Sequence, residues 1–138
     1  MDKLKQFFKV LKLVKSGGNY DLGLMIYEKK PKLPAAIKII PVKAGAANLE
    51  SLKQIYQTLK KGSWLAIDLQ TVMPGEVYGQ LRLLSLSNRL QIIYKDKIID
   101  LKQPEKCRII VMGGKQIIAD NKKTYPDLMN LFGPVIII

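Results

Sequence analysis

RIIVMGGKQIIA, residues 108–119, is the stretch on which the fold turns. Four apolar residues precede a Gly113-Gly114 pair, and a second apolar run follows Lys115. Two adjacent glycines between such runs are a favoured two-residue loop of a β-hairpin, because they reach the positive φ angles that its tight turn needs. On that reading residues 108–112 and 115–119 pair antiparallel. The strands before them then extend the same kind of sheet.

Working backward, residues 89–94 and 98–101 flank Lys95-Asp96-Lys97 and read as another hairpin. Residues 74–88, PGEVYGQLRLLSLSN, are ambiguous. Pro74 and Glu76 suit a helix start, and Val77, Leu81 and Leu84 share one helical face. Gly79 weakens the helix, and the alternation of Leu81 and Leu83 also allows a strand. SWLAIDL, residues 63–69, is a short apolar run of a buried strand. The clearest helix lies before it. Asn48 is a suitable N-cap, Leu52, Ile55, Tyr56 and Leu59 form a stripe, and Gly62 is placed to end it. Residues 36–40 read as a strand closed by Pro41. After the glycine pair, residues 120–124 form a turn and residues 125–132 a short helix. Residues 135–138 form a last strand. The expected fold is α+β: a small two-layer sandwich, one or two helices on a mostly antiparallel sheet.

The expected organisation has three parts. Residues 1–15 are an amphipathic basic helix, and residues 16–35 a linker with an extended patch at residues 24–27. Residues 36–138 are the α+β domain, whose last part, residues 115–138, is an extension without an assigned role. In the N-terminal segment Leu4, Phe7, Phe8, Leu11 and Val14 follow helical spacing on one face. Lys5, Lys9 and Lys12 fall on the other face. Lys3 and Lys15 lie at the borders, where their aliphatic stems can cover apolar surface. Such a helix is marginal alone and needs a surface. It can cap its own domain, dock on a partner, or lie in a membrane interface, and the paired phenylalanines with flanking lysines favour the membrane.

Charge and composition bound the function. The 138 residues carry a formal charge of +12, which points to anionic partners. The charge is densest in residues 1–15, with five lysines against one acid. The chain has no histidine, the commonest general base and zinc ligand. Glu50, Asp68, Glu76, Asp96, Asp100, Glu105, Asp120 and Asp127 are scattered and form no paired set. Asp68, at a strand end, reads as a turn or cap residue. Gly113-Gly114-Lys115 lacks the spacing of a phosphate-binding loop. The one cysteine, Cys107, reads as a small core residue and excludes an internal disulfide, and Trp64 as core or interface. No apolar run reaches the roughly 20 residues of a membrane span, and the N-terminus lacks the layout of a signal peptide. These features lead to no catalytic residue, no cofactor and no metal, and to an intracellular protein.

IKIIPVKAGAANLESLKQIYQTLKKGSWLAIDLQTV resembles the core of SepF, the cell-division adaptor, and its archaeal relatives. The matching residues are Leu59-Lys60-Lys61-Gly62, Ala66-Ile67-Asp68-Leu69 and Arg108-Ile109-Ile110-Val111. MDKLKQFF followed by SGG resembles the family's N-terminal membrane helix and linker. The resemblance implies a non-enzymatic adaptor on the cytoplasmic, inner face of the cell membrane. It also implies a homodimer whose domain binds a filament protein of the FtsZ kind. Departures are the missing dimer-helix glycine in LRLLSLSN and Gly113-Gly114 where the family has a proline. From the charge, the alternative is a basic nucleic-acid-binding module or a subunit of a nucleoprotein assembly.

Overall fold

The computed structural model describes residues 22–43, 54, 55, 57, 58, 64–87, 89–94, 97–102 and 109–138. The element order is β1 (Leu22–Tyr27), β2 (Lys38–Val42), β3 (Leu65–Leu69), α1 (Gly75–Ser87), β4 (Arg89–Tyr94), β5 (Lys97–Lys102), β6 (Ile109–Gly114), α2 (Lys115–Thr124) and β7 (Phe132–Ile137). A 3-10 turn, Leu128–Leu131, precedes β7. Five strands form one sheet in the order β2-β3-β6-β1-β7, and β4 and β5 form a separate antiparallel ribbon. Every pair in the five-stranded sheet is parallel.

The fold is therefore of the α/β type, and the expected α+β sandwich with a mostly antiparallel sheet is corrected. The cause lies in Gly113 and Gly114. Gly114 has φ −66° and ψ 159°, extended backbone that caps α2. Gly113 is also outside the left-handed region. Neither glycine makes the positive-φ turn a tight hairpin requires. Gly113 instead gives room: a Cβ there would stand 3.0 Å from Cδ1 of Ile118. The chain thus leaves β6 directly into α2. Residues 115–119, expected as the hairpin's second strand, are helix.

Two other expectations meet the same sheet. Leu22–Tyr27, within the expected linker, forms β1 between β6 and β7. Residues 115–138, the expected extension, supply α2, the 3-10 turn and β7. The ambiguous stretch is a helix. Val77, Leu81 and Ser85 recur every four residues and are buried, and the Pro74 carbonyl accepts the first helical N–H bonds. β3 is LAIDL, buried throughout, as a central parallel strand demands. Residues 54, 55, 57 and 58 are helical, and the rest of the helix expected from Asn48 to Gly62 lies outside the described residues, as does Cys107.

The sheet's two faces are covered differently. Connections between parallel strands are right-handed, so those running in opposite directions across the sheet must lie on opposite faces. From β2 onward the chain moves toward β7. Its covering residues Ile55, Val77, Leu81 and Ile118 pack with Leu24, Ile40, Ile67 and Val111 on one face. From β1 to β2 the chain moves the other way, and Leu33 and Ile37 pack with Met25, Ala66, Ile110 and Met112 on the second face. Each fully buried leucine or isoleucine contributes about 1.5–3 kcal/mol.

Candidate functional site

The reversal of direction at β1 marks a position of interest. In open α/β sheets ligands bind beyond the carboxyl ends of the strands where the order reverses. Here β1 ends at Tyr27, β6 at Gly114 and β3 at Leu69, with Tyr27 beside Gly114 and Asp68 beside Met112 in the parallel register. Alternation puts Tyr27 and Asp68 on the second face, one on each side of β6.

Asp68 is 1% exposed. A carboxylate so buried requires partners. Tyr27 donates its hydroxyl to Oδ1 across β6 at 2.9 Å. Lys30, on the segment leaving β1, pairs its Nζ with Oδ2 at 2.9 Å, and its own side chain stays half exposed. Burial, then the hydrogen bond to Asp68 and the nearby negative charge, push the Tyr27 hydroxyl up to about 12. Tyr27 is thus a proton donor to the carboxylate at neutral pH and not a base. The arrangement links β1 to β3 across β6 and ties the β1–β2 connection to the sheet.

The loop after β3 is fixed from the other side. Asn121 of α2 is fully buried. Its Oδ1 accepts from Met73 N–H at 2.7 Å, and its Nδ2 donates to the carbonyls of Thr71 at 3.2 Å and Ile117 at 2.8 Å. Tyr125 donates its hydroxyl to the Met73 carbonyl. The Tyr125 ring stacks on Tyr78, with centroids 4.0 Å apart and 15° between planes. Burial, then the charge of Glu76, raises the Tyr125 hydroxyl above its ordinary value. Arg82 stands 6.0 Å from the Tyr78 ring, extending the stack toward solvent.

Exposed charges surround this end of the sheet. Lys29, Lys30 and Lys32 follow β1, Lys43 follows β2, and Lys115 opens α2. Against them stand Glu28 and Glu76 at the surface. With Asp68 occupied by Lys30, the solvent side of this edge is positive.

Leu4, Phe7, Phe8, Leu11, Val14, Lys3, Lys5, Lys9, Lys12 and Lys15, the expected membrane-binding residues, lie outside the described residues. Asp68, expected as a turn or cap residue, is the acid at the centre of the cluster. Tyr27 and Lys30 were not singled out. A signal for them existed: an acid inside the apolar run LAIDL needs a cation and a donor from elsewhere in the chain. Among the described residues no group of three or more His, Cys, Asp or Glu could hold a metal ion. None of the helices in that set is long and apolar enough to cross a membrane. No family model and no curated protein sequence matches the chain.

Proposed function

We propose that the protein is a non-enzymatic adaptor with two binding ends. Residues 1–15 lie on an anionic membrane surface, and the lysine-rich edge at the carboxyl ends of the strands docks an acidic partner. The observation that supports the second half is that Lys29 and Lys32 follow β1, Lys43 follows β2 and Lys115 follows β6, all at the carboxyl end of the sheet, while the buried acid there is already paired within the chain. The periodicity of residues 2–15 supports the first half. Each lysine near an anionic surface contributes on the order of 1 kcal/mol, so five of them with a shallow apolar face give reversible binding.

Sedimentation with anionic vesicles tests the anchor. The intact chain is expected to pellet and a form lacking residues 1–15 to stay in solution. Equal pelleting of the two would end the membrane reading. The charge also favours a second reading, nucleic-acid binding through the same basic edge. A gel shift with steep salt dependence, kept by the shortened form and lost on replacing Lys29, Lys32, Lys43 and Lys115 by glutamine, would select it.

A further inference from the structure

The two edges of the sheet are built differently. β2, at one edge, carries exposed Lys38 and Pro41 and is followed by Lys43. Lysine and proline on an edge strand discourage pairing with another chain. β7, at the other edge, has its proline, Pro134, in its first half, and its last three residues carry neither lysine nor proline. From residue 125 to 138 the sequence holds one acid, Asp127, and no lysine or arginine, in a chain with 23 basic residues. Val135 and Ile137 are 44% and 68% exposed, and Ile138 is 36% exposed.

The backbone of β7 shows which groups face outward. Ile138 donates its N–H to the Ile26 carbonyl and accepts from Glu28 N–H, so both its backbone groups face β1. Strand alternation then turns Ile136 toward β1 and turns the N–H and C=O of Val135 and Ile137 away from it. Among the described residues no strand pairs with that side. The residues with unpaired backbone groups are thus the same residues that expose apolar side chains.

We propose that β7 pairs antiparallel with β7 of a second copy of this chain, about a twofold axis at Ile136. That register sets Val135 opposite Ile137 of the partner subunit, and each such pair exchanges two hydrogen bonds. The same pairs bring the exposed apolar side chains together. Charge selects the occupant. Two copies of a +12 chain repel each other, and repulsion is least where the surface carries no lysine. An acidic partner would be drawn instead to the lysine-bearing edge. The contact is isologous, so it closes as a dimer with a ten-stranded sheet and does not propagate. The proposal does not rest on the reading of residues 1–15 as a membrane helix.

Sedimentation-equilibrium measurement of the full chain tests it. The protein is expected to sediment as a concentration-dependent dimer of the 15.6 kDa chain. The double variant Val135→Lys, Ile137→Lys is expected to sediment as a monomer at the same concentrations, with an unchanged circular dichroism spectrum. The control Gln116→Lys adds charge at an exposed site on α2 and is expected to remain dimeric. A second variant, Ile137→Thr, keeps the charge and is expected to weaken the dimer at least several-fold. A monomeric wild-type chain at its highest soluble concentration would overturn the proposal. So would a dimer that survives both lysines at the edge, or one lost equally in the Gln116→Lys control.

Discussion

Replacing Asn121 tests how the loop beside the acidic cluster is held. Asn121→Ala leaves the Met73 N–H buried without its acceptor and removes a donor from the Thr71 and Ile117 carbonyls. A buried donor left without a partner costs about 1–3 kcal/mol, and a small residual cavity adds to that. The expected loss is about 2–4 kcal/mol. For a domain of this size that lowers Tm by roughly 6–20 °C. Urea denaturation should show a lower midpoint at an unchanged slope. Asn121→Asp separates hydrogen-bond polarity from shape. It keeps the acceptor for Met73 N–H but turns an oxygen toward two carbonyls that the wild-type Nδ2 meets at 3.2 and 2.8 Å. Protonation would restore a donor. Folding should therefore raise the carboxyl above its unfolded value, so the penalty is absent at low pH and grows as pH rises past about 4. If Asn121→Asp is as stable as wild type at neutral pH, or if Asn121→Ala costs under about 0.5 kcal/mol, the clamp is not holding the loop.

Further outcomes follow from the same contacts. Folding favours the protonated Tyr27 hydroxyl, so its contribution to stability is complete below about pH 10 and is lost as pH rises toward about 12. The stability gap between wild type and Tyr27→Phe should close across that window, and a gap that stays constant would contradict the Asp68 contact. Lys30→Met strands one oxygen of a buried carboxylate. Because Lys30 is half exposed, the expected cost is about 1–2 kcal/mol rather than that of a fully buried pair, and the double variant with Asp68→Asn should recover part of it. Gly113→Val presses on Ile118 and on the Leu69 carbonyl, 3.4 Å from even a first Cβ, and should cost about 1–3 kcal/mol in thermal or urea melts. A neutral Gly113→Val would mean that β6 and α2 are not packed so closely.

The sequence was legible where signals are local. The apolar run of β3 and the β4–β5 hairpin were read in nearly the right places, because period and turn chemistry suffice for both. α2 was missed for definable reasons. Its N-cap, Gly114, has no side chain to give a capping signal, its first turn has no acid, and the buried stripe contains the polar Asn121 beside Ile118. β1 was read as a patch in a linker because glycines and lysines flank it, while the strands that bury it come from residues 109–114 and 132–137. Strand direction was illegible for the same reason: parallel partners are distant in sequence and leave no turn between them. For the site, Asp68 was visible and its partners were not, since Tyr27 and Lys30 reach it through a register that only the assembled sheet defines.

The place of β1 has a consequence for how the chain reaches this state. Leu22 is matched with Phe132, and Gly23 with Ile110. The first strand of the sheet therefore finds both its neighbours only among the last thirty residues. On a ribosome LGLMIY would stay bare until residues 109–137 had followed it out. Closing loops of that length before any sheet contact rewards them makes assembly slow and late, close to all-or-none. The waiting interval is when this apolar hexapeptide is exposed to aggregation or to a chaperone, and a ribosome-bound chain stalled before residue 109 should be protease-sensitive at β1.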